Sequence, residues 1–306
     1  MKDSIIDNIH INFDADALWV LNMALALVMF GIALNISIHD FKAIFKSPKS
    51  LLIGICSQFL VLPAVTFLLV RCITPIPSIA LGMIMVAACP GGNVSNFITH
   101  LAKGNSALSI SLTAFATLFA VVLTPVNLQF WGGLYAPTAL ILQEVAIAPI
   151  EMIKLVSLLL GIPLLLGMLV NHFAPKMAVR LAKILKVVSL VFFISLVFIA
   201  LYNNRGIFME YVFYVFWIVL AHNILAFSTG FSLAKFFKLN TEDTKAITIE
   251  TGIQNSGLGL LLIFTFFDGL GGMALLAAFW GIWHLVSGML LASFWNRVAA
   301  TKEELV

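Results

Sequence analysis

Two short stretches bring together residues whose types and spacing could do chemistry. The first, CPGGNVSN at 89–96, joins Pro90, Gly91 and Gly92 to Asn93, Ser95 and Asn96. The second, TIETGIQNSGLG at 248–259, holds one carboxylate, Glu250, with the amides of Gln254 and Asn255, the hydroxyls of Thr248, Thr251 and Ser256, and the glycines Gly252 and Gly257. Each stretch interrupts an apolar run. A carboxylate in hydrocarbon costs about 2.5 kcal/mol or more, so it is either protonated or matched by a cation. Apart from Lys245 at its edge, no Lys or Arg lies in the run that holds Glu250, and the other interrupted run has none. Hydroxyl, amide and carboxylate oxygens are the ligands of hard cations. The chemistry these residues suit is the binding of a metal ion such as sodium.

The elements that must position them are membrane helices. The chain has 306 residues, 61% of them hydrophobic and 10% charged, with a mean hydropathy of +1.08. A soluble domain is nearer half apolar and a quarter charged. No soluble core could bury such a surplus, so the surrounding solvent is lipid. Apolar runs bounded by charges, Pro or Gly fall near 17–37, 49–70, 78–102, 106–130, 150–172, 183–203, 210–235, 244–267 and 271–296, nine in all. Each is near the length a span requires. The fold class is therefore all-α and polytopic, with about nine transmembrane helices. The first run follows Asp3, Asp7, Asp14 and Asp16 and not a basic segment, so it reads as a retained helix and not a signal peptide. Cys56, Cys72 and Cys89 are too scattered for a disulfide framework or a metal cluster.

Pro90 removes a backbone donor, and the glycines permit dihedrals that other residues avoid. Both stretches should break their helices inside the bilayer, at Pro90, Gly91 and Gly92 and at Gly252 and Gly257. Broken backbone survives there only when buried in protein or lining a polar cavity. The interrupted runs are the third and the eighth, so they cross the membrane in opposite directions. Paired broken helices in opposed halves are the signature of an inverted-repeat secondary transporter. The repeats would cover 17–130 and 150–297, after an outer segment at 1–16, with an outer loop or lid at 131–149 and a tail at 298–306.

Sorting basic residues among alternate loops places 13 on one side (Lys42, Lys46, Lys49, Lys103, Lys176, Arg180, Lys183, Lys186, Lys235, Lys238, Lys245, Arg297 and Lys302) and 3 on the other (Lys2, Arg71 and Arg205). By the positive-inside rule the N-terminus is outside and the C-terminus cytoplasmic, in the cell (inner) membrane.

The segments CPGGNVSNFITHLAKGNSALS, IGICSQFLVLPA, TIETGIQNSGL and WHLVSGMLLASFW resemble the bile acid:sodium symporter family from about residue 20 to the end. The resemblance implies an inverted repeat of five spans each, here lacking the first, arranged as a core and a panel domain. It also implies two coupling sodium ions and no other cofactor. The first sodium site would use Ser95, Asn96, Ser109, Thr113 and Glu250. The second would use Gln58, Glu250 and Gln254 with carbonyls near Thr251 and Ile253. A substrate pocket would lie near Asn93, Asn96, Asn255 and His284. Ser109 and Thr113 are four apart, on one helix face, which fits the first set independently. Two departures touch the pocket: Leu285 stands where relatives often have Asn after Trp-His, and Asn93 where many have a small hydroxyl residue.

Plainer readings stand beside these. Ser109 and Thr113 can bond the carbonyl one turn back, Gln58 can bridge two helices, and His284 can be a satisfied interhelical histidine. His222 with Asn223 reads as helix-packing glue. The expected function is a sodium symporter importing an organic anion, a bile acid or a small carboxylate such as pantoate or pyruvate, by alternating access. The alternative is a proton-coupled carrier in which Glu250 titrates. A receptor or an intramembrane enzyme is remote, since the chain shows no His-Glu-x-x-His motif and no Gly-x-Ser-x-Gly elbow. No nucleic acid is expected as a partner.

Overall fold

Long apolar runs in lipid leave helix as the way to satisfy every backbone group within one segment. Helix is what forms in this computed structural model, which describes residues 6–7, 15–37, 48–145, 149–203 and 205–303. Lys2, Lys42 and Lys46 of the charge count lie outside them. In chain order the elements are α1 (Ala15–Ala33), α2 (Pro48–Cys56), a π-helical turn (Ser57–Val61), α3 (Leu62–Ile73), α4 (Pro77–Ala88), α5 (Val94–Leu101), α6 (Ser106–Leu134) and α7 (Ala136–Glu144). They continue as α8 (Pro149–Phe173), α9 (Pro175–Asn203), α10 (Arg205–Phe236), α11 (Thr241–Gly252), α12 (Ser256–Phe266) and α13 (Gly271–Glu303).

Among the described residues five stretches are long and apolar enough to cross a membrane: Pro48–Ile73, Ser106–Leu134, Val156–Phe173, Met209–Phe236 and Gly271–Arg297. Large apolar side chains such as Phe173, Phe213, Trp217 and Phe236 face outward on them. An outer surface of this kind belongs against acyl chains. The apolar helices α4 and α12 are shorter, because each is one half of an interrupted element.

Those halves sit at the centre of the molecule. Every residue of α4 from Ser78 to Ala88 is buried, as a helix that is apolar all round must be. The helix α11 is buried along nearly its whole length despite its polar sequence. Around them pack α2, α3, α5, α6, α10, α12 and α13, while α1, α8 and α9 pack together as a separate three-helix layer. Within that layer the backbones approach closely: a Cβ on Gly167 of α8 would lie 2.7 Å from the Phe30 carbonyl oxygen of α1. The layer meets the remainder mainly through α8 on α6 and α1 on α12.

Three local features differ from the sequence reading. The stretch 131–149 is not a plain loop: α6 runs on to Leu134, and α7 follows a single extended residue, Tyr135. Proline at the second position of α7 favours a fresh helix start, and the Thr138 hydroxyl donates back to the Gly132 carbonyl at 2.6 Å. Secondly, the π-turn at Ser57–Val61 is closed by Leu62 N–H donating to the Ser57 carbonyl. Pro63 cannot donate, and its ring crowds the carbonyl one turn back, which widening the turn relieves. Thirdly, none of the crossover glycines has a positive φ. Gly252 closes α11 and Gly257 lies inside the first turn of α12. The second interruption is therefore Ile253–Asn255, and glycine is used here for close approach and not for unusual dihedrals.

Candidate functional site

The interruption Cys89–Asn93 between α4 and α5 meets the interruption Ile253–Asn255 between α11 and α12. Gly91 and Gln254 form an antiparallel bridge, with Gly92 N–H donating to the Ile253 carbonyl at 2.9 Å and Asn255 N–H to the Pro90 carbonyl at 2.8 Å. The two broken elements thus cross in opposite directions, each supplying the backbone partners the other lost. Side chains take up other carbonyls at the breaks. Thr124 of α6 donates to Ala88 O at 2.8 Å, Gln58 of the π-turn to Cys89 O at 2.8 Å, and Asn223 of α10 to Gly252 O at 2.9 Å. Each such bond spares the several kcal/mol of a lone polar group in a dry interior.

Gln58 and Asn223 play matching parts. Each comes from the long helical element preceding an interrupted one, and each donates an amide hydrogen to a carbonyl at that interruption. Asn223 is further held by the Ser287 hydroxyl at 2.6 Å. It is thus more than packing glue between helices. Its neighbour His222 does fit that description, with Nε2 2.8 Å from the Thr66 hydroxyl and its ring against Trp280.

Glu250 lies in the last turns of α11 and is 2% exposed. Its carboxylate accepts a hydrogen bond from Ser95 of α5, one at 2.9 Å from the Thr113 hydroxyl and one at 3.5 Å from the Ser109 hydroxyl of α6. Asn96 completes the group: its Oδ1 accepts from Ser109 at 2.8 Å and Thr113 at 3.2 Å. All five residues of the first set therefore converge. Thr113 also donates to the Ser109 carbonyl at 3.1 Å, so back-bonding along the helix and contact with the carboxylate coexist in one hydroxyl. The close fit explains Gly91, where an added Cβ would lie 2.6 Å from the Glu250 carboxyl carbon.

Part of the second set also gathers. Gln58 and Gln254 are paired through their amides at 2.7 and 3.3 Å, and Gln254 Nε2 donates to Thr251 O at 2.7 Å. The Ser57 and Thr251 hydroxyls are 2.9 Å apart. The Ile253 carbonyl is engaged by Gly92, and no described hydrogen bond joins Glu250 to Gln58 or Gln254. Ser57 was not singled out from the sequence; the π-turn brings it inward beside Gln58.

The pocket residues divide. Asn93 is exposed at the entry to α5, while Asn255 caps α12, accepting from Leu258 N–H at 3.0 Å. His284 is 5% exposed and its Nδ1 has no hydrogen-bond partner. It sits on α13 one turn from Gly281, which abuts Ser256, and one turn from Gly288, which abuts Ile253. Its helix face is therefore turned to the second interruption. The N-terminal ends of α5 and α12 and the C-terminal ends of α4 and α11 all meet here. One place thus offers partial positive ends to an anion and carbonyls to a cation.

Among the described residues no cluster of three or more His, Cys, Asp or Glu could hold a metal ion. The donor set is one carboxylate among neutral oxygens, which fits a hard monovalent cation better than zinc or copper.

A profile of the sodium bile acid symporter family matches residues 22–211. An uncharacterised sodium-dependent transporter of Bacillus subtilis is 32% identical over 91% of this chain and 84% of its own. A probable chloroplastic sodium/metabolite cotransporter of Oryza sativa subsp. japonica is 30% identical over 92% of this chain and 68% of its own. The human ileal sodium/bile acid cotransporter is 30% identical over 78% of this chain and 67% of its own. All three are named as transporters and none as an enzyme.

Proposed function

The chain belongs to the sodium bile acid symporter family, and from that premise we propose that it couples sodium entry to import of an organic anion by alternating access. The observation that carries this reading is Glu250, a buried carboxylate whose described partners are all hydroxyl groups. Such a charge needs a counter-ion, and five oxygen-bearing side chains stand ready to hold sodium. Ser95, Asn96, Ser109, Thr113 and Glu250 form the first ion site. Gln58, Gln254, Glu250 and the carbonyls of Thr251 and Ile253 form the second.

Charge bookkeeping gives the stoichiometry. Glu250 contributes one negative charge and two sodium ions two positive ones, so a monovalent carboxylate brings the loaded site to neutrality. The partial positive ends of α5 and α12 favour its carboxylate end, beside Asn93, Asn96, Asn255 and His284. A site of amides and one histidine suits a small hydroxy- or keto-acid as well as a bile acid. Neutral loading favours movement of the full carrier over the half-filled one. The chain is oriented with its N-terminus outside the cell membrane and its C-terminus in the cytoplasm.

The test is uptake of labelled taurocholate, pantoate and pyruvate into proteoliposomes, each with an inward sodium gradient, with choline, and with a pH gradient in choline. Accumulation of one acid under the sodium gradient alone is expected. Equal uptake in sodium and choline removes the mechanism, and uptake driven by pH without sodium moves the coupling to a proton on Glu250.

A further inference from the structure

A second buried carboxylate lies at the far end of α11. Asp243 is 5% exposed, yet it is neither part of the crossover nor near the proposed anion pocket. Both of its oxygens are used across helices: Ser50 of α2 donates to Oδ2 at 2.6 Å and Asn105 Nδ2 donates to Oδ1 at 2.7 Å. Asn105 is itself the N-cap of α6, accepting from Leu108 N–H at 3.0 Å, and its own N–H donates to the Glu242 carbonyl at 3.1 Å. Asn240 caps α11, accepting from Asp243 N–H at 2.7 Å. One side chain therefore ties together the beginnings of α2, α6 and α11.

Several of the proposed cation ligands lie further along these three elements, Gln58 in the π-turn that continues α2. Glu250 is seven residues beyond Asp243, Gln58 eight beyond Ser50, and Ser109 and Thr113 four and eight beyond Asn105. Seven residues are two helical turns, about 10 Å. From a common origin the three helices rise side by side to the ion sites, so sliding one against another at the tie shifts its ligand by the same amount. Ligand sets tolerate little of this, since a binding constellation has to be held within about 0.5 Å of its productive geometry.

We infer that Asp243 is a positioning residue for ion coupling: its carboxylate sets the register of α2, α6 and α11 and so the spacing of the sodium ligands it never touches. The inference rests on the sodium reading above, and its test separates the two. Purified wild type, Asp243→Asn, Ser50→Ala and Glu250→Gln are titrated with NaCl at constant ionic strength in choline chloride, reading ²²Na⁺ binding and thermal stability. Wild type is expected to saturate and Glu250→Gln to show no sodium response. Asp243→Asn is expected to need about tenfold more sodium and Ser50→Ala about threefold more, with the bound amount at saturation unchanged. A residue serving stability alone would lower the melting temperature in choline and leave the sodium midpoint where it was. Unchanged midpoints in both variants overturn the inference while leaving the sodium sites standing. If Asp243→Asn does not fold, Ser50→Ala decides the matter by itself. A wild-type chain blind to sodium removes both readings.

Discussion

At the residue scale the question is what makes a charge tolerable in oil. Glu250 is met by three hydroxyls and, through them, by Asn96, none of which neutralises it. Hydroxyl donors to a carboxylate are worth about 1.5–3 kcal/mol each, but they carry no charge, and in the proposed mechanism the net negative charge is left for a bound cation to balance. Thr113→Val keeps the shape and removes one hydroxyl, so the sodium concentration at half-saturation is expected to rise about tenfold or more. The ²²Na⁺ titration of the purified chain reads it; a shift under twofold would show that Thr113 serves only its own helix. Much of this group was legible beforehand. Ser109 and Thr113 share a face, Ser95 and Asn96 follow the first break, and Glu250 precedes the second. Ser57, Thr124 and Asn223 were not, because a hydroxyl or amide on an apolar helix looks the same whether it faces a neighbour's side chain or its broken backbone.

Between elements, the central fact is that two helix ends and two helix starts share one small volume. Pro90 and the neighbouring glycines announced the first break, yet the glycines do a different task from the one their type suggested. Gly91 keeps ordinary dihedrals and yields its side-chain space to Glu250. Gly91→Ala therefore drives a methyl group into that carboxyl. It is expected to lower stability by about 1–3 kcal/mol, as overpacking does, and to abolish the sodium-dependent rise in melting temperature. Thermal melts in NaCl and in choline chloride check both, and a normal sodium response would place Glu250 elsewhere. The π-turn escaped a reading by hydropathy because it changes only hydrogen-bond spacing, and α7 escaped because its composition matches an interfacial loop.

For the whole molecule, the proposed alternating access needs one surface to slide against another. The layer of α1, α8 and α9 is held internally by close backbone contact and by Asn171 donating to Ile36 O at 2.8 Å. It meets the core through α8, where Ser157 donates to Val121 O at 2.9 Å and Gly161 lies against Val121. Gly161→Leu wedges this surface without reaching the ion sites. Uptake at saturating sodium and substrate is expected to fall about fivefold or more, while ²²Na⁺ affinity stays within about twofold, since uniform binding is untouched and only the conformational step is slowed. Equal losses in both would mean that the surface does not slide. The pairing of Gly91 with Gln254 has a last implication for how such chains drift in evolution. Because each interruption is the other's hydrogen-bonding template, an insertion or deletion in one leaves donors and acceptors out of step in both. Length changes there can be inherited only as a matched couple, whereas the outer connections are free to vary alone.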